Sequence, residues 1–99
     1  MIKQSVMNLL ASRQFKEILS RNKVMRIALF GSQLTADGAV PNDYDFLVEF
    51  QEGADLFDHI GLKQDLEEYL KKKVDVVTKD SLSKYLRAQV LKEAQYLNV

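Results

Sequence analysis

Three aspartates and one glycine–serine pair carry the chemistry available to this sequence. Asp43 and Asp45 flank Tyr44 at the start of a short apolar run ending at Phe50, and Asp75 interrupts Val74-Asp75-Val76-Val77. Alternate side chains of a strand share a face, so Asp43 and Asp45 should point the same way. Neighbouring carboxylates repel, and an Asp among β-branched residues loses hydration if buried. A divalent cation relieves both costs, because it brings positive charge among oxygen ligands. Magnesium commonly takes one or two protein carboxylates and completes its shell with water and substrate phosphate. Gly31 and Ser32 follow the run Val24 to Phe30. Glycine lets backbone approach a ligand; amides at a turn opening a helix point at an anion, and the Ser hydroxyl adds a donor. A phosphate-binding turn ahead of metal-binding carboxylates suits phosphoryl or nucleotidyl transfer.

The elements that must position these groups can be read from periodicity. Residues 3 to 20 carry Val6, Leu9, Leu10, Phe15, Ile18 and Leu19 at mostly helical spacing. Val24 to Phe30, Tyr44 to Phe50 and Val74 to Val77 read as strands. On the second, Phe46 and Val48 share one face; Asp45, Leu47 and Glu49 share the other. Residues 31 to 42 hold two of the 4 glycines and the 1 proline, which predicts a loop. Residues 55 to 72 form an amphipathic pattern predicting a helix with Leu56, Phe57, Ile60, Leu66, Tyr69 and Leu70 inward. Ser81 is the expected cap of a last helix, with Leu82, Leu86, Val90, Ala94 and Leu97 on one stripe. The order αβ(loop)βαβα, with helices separated by short strands, implies an α/β layer structure. Whether the first two strands form a hairpin or a crossover stays open at this level.

Composition sets the outer bounds. At 99 residues, 46% of them hydrophobic, the chain reads as a single domain, residues 1–99, with a small core. The 14 basic and 14 acidic residues cancel, which argues against bulk nucleic-acid binding while permitting one bound nucleotide. With no cysteine and 1 histidine, disulfides, thiolate sites and a multi-histidine zinc site are excluded within one chain. No apolar run approaches the roughly 20 residues that span a bilayer, and no signal-peptide pattern opens the sequence. The expectation is a cytoplasmic protein with no membrane association.

Gly31-Ser32, ten intervening residues and then Asp43-Tyr44-Asp45 resemble the signature of the DNA polymerase β-like nucleotidyltransferases. The match is to the minimal branch (MNT), often encoded beside a HEPN-domain partner. Phe46 to Phe50, Asp55 to Lys63, Lys73 to Thr78 and Ser81 to Ala94 fit the same branch, so the resemblance covers nearly the whole chain. It implies the nucleotidyltransferase fold, an α/β (α+β) architecture in which helices pack on a small mixed β-sheet. It implies two Mg2+ ions held by Asp43 and Asp45, with Asp75 joining one of them and helping to activate the attacking hydroxyl. It implies that Gly31 and Ser32 hold the triphosphate of ATP. Some minimal members are antitoxins that place AMP on a tyrosine of the HEPN toxin, and others inhibit by binding alone. The expected function is therefore AMP transfer from Mg-ATP to a protein hydroxyl, as the antitoxin of a HEPN/MNT pair. The alternatives are a catalytically inactive antitoxin or a small-molecule nucleotidyltransferase of the aminoglycoside type.

The loop departs from the family pattern. Relatives commonly carry arginines soon after Gly-Ser; here the stretch is Gln33-Leu34-Thr35-Ala36-Asp37-Gly38, and Asn42 stands where Ser is usual. Cationic donors for the triphosphate are thereby lost. Lys23, Arg26 or a partner's arginine are the candidates to replace them. Lys71, Lys72 and Lys73 read as a solvated helix end, where the dipole favours cations, with a phosphate-binding role as the lesser alternative. His59 reads as a rim residue and not a base, and Tyr69, Tyr85 and Tyr96 as packing residues. Glu49, on the face of Asp45, is a minor candidate for a further metal ligand.

Overall fold

A computed structural model describes residues 4–30 and 43–97. Its elements are helices α1 (Gln4–Leu9), α2 (Arg13–Arg21), α3 (Leu56–Leu70) and α4 (Lys84–Glu93), and strands β1 (Val24–Phe30), β2 (Asp43–Phe50), β3 (Lys73–Val77) and β4 (Gln95–Tyr96). The strands form one mixed sheet in the order β3-β2-β1-β4. β1 runs antiparallel to β2 and to β4, and β2 runs parallel to β3. The link between β1 and β2 therefore joins antiparallel neighbours. β2 and β3 need a crossover because they are parallel, and α3 supplies it.

Each face of the sheet is covered by different helices. Tyr44, Phe46 and Val48 of β2, Ile27 and Leu29 of β1, and Val74 and Val76 of β3 pack with α1, α2 and α3 in the main core. The opposite face is thinner: Ala28, Leu47 and Val90 are buried there, with Phe30, Val77, Leu82, Leu91 and Ala94 against them. Alternation on β2 thus delivers its aromatic residues to the thick side and Asp43, Asp45 and Leu47 to the thin side.

Four expectations need correction. The predicted first helix is two helices, because Ser12 breaks the run: its Oγ accepts the Phe15 amide as the N-cap of α2 and meets the Tyr69 hydroxyl at 2.5 Å. In α3 the inward stripe is Leu62, Leu66 and Leu70, spaced four apart, with Tyr69 half-buried. Leu56 and Phe57 are 69% and 81% exposed, and Ile60 is exposed as well. The first turn of α3 lies beyond the region the core covers, so apolar identity there does not mean burial. The last helix is capped by Ser83, not Ser81; Ser81 closes a 3-10 turn over Lys79–Ser81 and bonds the Thr78 amide and carbonyl. Finally, the stripe does not continue to Leu97, and neither Leu86 within it nor Tyr85 beside it packs inward, since both are exposed. The chain leaves the helix at Ala94, and Gln95 and Tyr96 pair with Leu29 and Ala28 as β4.

Gly61 marks a close approach between α3 and the end of α2. A Cβ there would lie 2.7 Å from Asn22 Oδ1. Asn22 is buried, and its Nδ2 donates to the Ile18 carbonyl and to Asp65 Oδ2, both at 2.9 Å, so it cannot swing away cheaply. Gly61→Ala should destabilise by roughly 1–3 kcal/mol through overpacking, outweighing the ~1 kcal/mol that alanine gains in a helix. The urea midpoint of the variant tests this; a raised midpoint would contradict it.

Candidate active site

The parallel pairing of β2 with β3 sets the geometry of the three aspartates. Asp45 is the register partner of Asp75, and Asp43 the partner of Lys73. Register partners on adjacent strands project to the same face, and strand spacing is about 4.8 Å. Asp43 and Asp45, two positions apart on β2, share that face. All three carboxylates therefore stand on the thin side of the sheet, at the end where β2 begins. Asp43 and Asp75 are exposed and Asp45 is half-buried. Tyr44 anchors the pair from below: it is 2% exposed, and its ring stacks on Phe46 with centroids 5.9 Å apart. Burial raises the Tyr44 phenol above its ordinary pKa, so it stays neutral between the two acids.

Phe30, the last residue of β1, is the register partner of Asp45. Gly31 and Ser32, the expected triphosphate-binding pair, come next in the sequence and lie outside the described residues, as does the rest of the loop to Asn42.

The donor set is hard oxygen throughout, which suits magnesium rather than a soft metal. Among the described residues, no three His, Cys, Asp or Glu side chains are gathered closely enough to hold a metal ion by themselves. Magnesium does not require three, because water and phosphate oxygens complete its shell. Asp45 opposite Asp75, with Asp43 on the same face, is an oxygen donor set of that kind.

Lys23 and Arg26 do not replace the missing loop arginines. Lys23 Nζ lies 3.7 Å from Asp58, and Arg26 Nη1 lies 3.5 Å from Glu49 Oε2, with its guanidinium 4.1 Å from the centre of the Tyr96 ring. Arg26 pairs in register with Glu49, four positions along β2 from Asp45, so both groups sit at the far end of the sheet. Glu49 is thereby occupied away from the aspartates as well. Lys73 is better placed than either: it is exposed, shares the face of Asp75 and stands opposite Asp43. Its helix-terminal setting in sequence obscured this. The signal that reveals it is the spacing of two from Asp75 on one strand.

Behind β3, three side chains of α3 hold the outer edge of the strand. Glu67 Oε2 accepts the Val74 amide at 3.1 Å, Lys63 Nζ donates to the Val74 carbonyl at 2.9 Å, and His59 Nε2 lies 3.0 Å from the Val76 carbonyl. The Val74 amide, and then the Lys63 ammonium, hold the Glu67 carboxyl below its usual pKa. A carboxylate depressed on folding contributes stability that is complete above its unfolded value and lost as pH falls through its folded value. The stability gap between the wild type and Glu67→Gln should therefore be full above about pH 4.3, the unperturbed glutamate value, and shrink below it. Urea unfolding across acid pH measures this, and a gap constant into strong acid would contradict it.

The sequence matches the polymerase β nucleotidyltransferase family over residues 13–98. It is 37% identical over 82 residues to protein adenylyltransferase MntA of Thermococcus cleftensis, covering 83% of each chain. Its fold is similar to a chain of a toxin–antitoxin crystal structure with AMP-PNP, at a TM-score of 0.65 and 30% identity, covering 86% of this chain and 70% of that one. It is also similar, at a TM-score of 0.65 and 28% identity, to a chain of the complex between the tri-AMPylated HEPN toxin of Shewanella oneidensis and MNT antitoxin, covering 96% and 71%. With aspartates in register across a parallel strand pair and a family match over most of its length, the chain belongs to the polymerase β-type nucleotidyltransferases.

Proposed function

We propose that this chain transfers AMP from Mg-ATP to a hydroxyl of a HEPN-domain partner protein, acting as the antitoxin of a toxin–antitoxin pair. The observation that carries the reading is the register of Asp45 against Asp75 on the open face of the sheet, with Asp43 alongside. The similarity to chains of toxin–antitoxin complexes, one holding AMP-PNP and one an AMPylated toxin, supports the choice of nucleotide and acceptor. ATP as substrate also supports a cytoplasmic setting.

In this reading Asp43, Asp45 and Asp75 hold magnesium. The ion, when bound, offsets charge on the α-phosphate and on the departing pyrophosphate. The Gly31 amide and the Ser32 hydroxyl would orient the β- and γ-phosphates. The acceptor oxygen attacks the α-phosphorus in line; a new P–O bond forms as the bond to the β-phosphate bridging oxygen breaks. Asp75 takes up the hydroxyl proton. Asp45 and Asp75 on adjacent strands of one sheet lower the reorganisation needed to reach this arrangement. The exposed Leu56 and Phe57 of α3 and Tyr85 and Leu86 of α4 offer apolar surface for a partner.

The test is incubation with ATP labelled at the α-phosphate, magnesium and the HEPN-type product of the neighbouring reading frame. Label that stays on the partner through denaturation, and disappears with Asp43→Asn or Asp45→Asn, supports the proposal. A stable complex that never takes up label points instead to an antitoxin acting by binding. Label on an aminoglycoside and not on protein points to the small-molecule reading.

A further inference from the structure

We infer that Glu67, Lys63 and His59 are positioning residues for the proposed carboxylate site, holding the edge strand so that Asp75 stays opposite Asp45. The inference rests on the active-site reading above. Among the described residues β3 has only β2 beside it, which makes it an edge strand. In a parallel pair, alternate residues turn their backbone groups to the partner, and the residues between turn theirs outward. On β3 the outward groups belong to Val74 and Val76, the two neighbours of Asp75. An edge strand with unmet amides and carbonyls is free to fray or slip, and a slip of one residue would carry Asp75 to the wrong face.

The side chains of α3 meet those groups from outside the sheet. They occupy positions i, i+4 and i+8, one row along the helix. Glu67 and Lys63 bind the amide and carbonyl of Val74, and Glu67 Oε2 also accepts from Lys63 Nζ at 3.3 Å, which closes a ring around one residue. His59 reaches the carbonyl of Val76, with its ring 5.7 Å from that of Phe50. Backbone on both sides of Asp75 is thus held by one helix. The Lys63–Glu67 pair has lysine N-terminal to glutamate, the weaker orientation for supporting a helix. Its place is better explained by β3 than by α3.

The experiment compares Glu67→Ala, Glu67→Gln and Lys63→Met with Arg21→Ala, which removes an exposed ion pair between α2 and Asp65 of α3. Each variant is melted, assayed for AMP transfer to the HEPN-type partner over a magnesium series, and titrated with Mn2+ while amide line broadening is read by NMR. Glu67→Ala should lower kcat by about 10- to 100-fold, the loss expected from roughly 1 Å of misplacement. It should also raise the Mn2+ concentration that broadens the Asp45 and Asp75 amides. Glu67→Gln, which keeps an acceptor for the Val74 amide, should recover most of both. Arg21→Ala should change neither. If Glu67→Ala and Lys63→Met lose only thermal stability and keep the kcat and Mn2+ response of Arg21→Ala, the residues are structural and the inference is overturned. If the wild type itself neither transfers AMP nor shows Mn2+ broadening at the aspartates, the carboxylate-site reading fails, and this inference with it.

Discussion

Asp45→Asn should lower AMP transfer by about a thousandfold and leave the fold intact. Asp45 occupies the middle of the carboxylate row, next to Asp43 along β2 and opposite Asp75 across to β3. Asparagine has the same shape but brings no negative charge to a divalent ion. If the ion's stabilisation of charge at the α-phosphate is worth several kcal/mol, losing about 4 kcal/mol of it gives a factor of about a thousand. Melting of the variant in chelator separates loss of chemistry from loss of the fold. Parallel measurement of transfer and of melting in chelator checks both. Transfer within about tenfold of wild type would remove Asp45 from the site; a large fall in melting temperature would make its role structural.

Phe15→Ala has the largest expected effect on stability. Phe15 is fully buried on α2, with its ring 6.3 Å from Phe46 and 6.5 Å from Tyr69. It thereby ties α2 to the β2 strand that carries Asp43 and Asp45, and to the helix that carries Glu67. Truncating a buried Phe costs about 3–5 kcal/mol in lost transfer energy and residual cavity. Small domains hold about 5–15 kcal/mol in total, so this is a large fraction of the whole. At about 4–8 °C per kcal/mol for a chain of this size, the melting temperature should fall by more than about 10 °C. A thermal melt decides the matter, and a shift of only a few degrees would show that the core closes over the gap.

The strands and the acid row were legible in the sequence because they depend on a period of two. Val24 to Phe30 and Tyr44 to Phe50 alternate or run apolar as strands must, and Asp45 sharing a face with Leu47 and not with Phe46 follows from the pleat alone. The helices were less legible at their ends. Leu56 and Phe57 look like core by residue type, yet burial depends on where the sheet stops, which no local pattern states. Ser12 and Ser83 act as caps through single hydrogen bonds, and a continuous apolar pattern runs through both regions in sequence. β4 was missed because two residues carry no periodicity; only pairing with Ala28 and Leu29 makes Gln95–Tyr96 a strand.

By itself the sequence determined that three aspartates and a Gly-Ser pair occur at a spacing suited to nucleotidyl transfer, since residue type and interval are local properties. The tertiary structure alone decided that Asp75 stands opposite Asp45, because register between strands 30 residues apart depends on how the crossover helix packs. It also decided that Lys73 joins the acidic face, that Arg26 is committed to Glu49 and Tyr96, and that α3 reaches around to hold the edge of β3. Each of these is a meeting of groups distant along the chain, and only a packed core brings them within bonding distance.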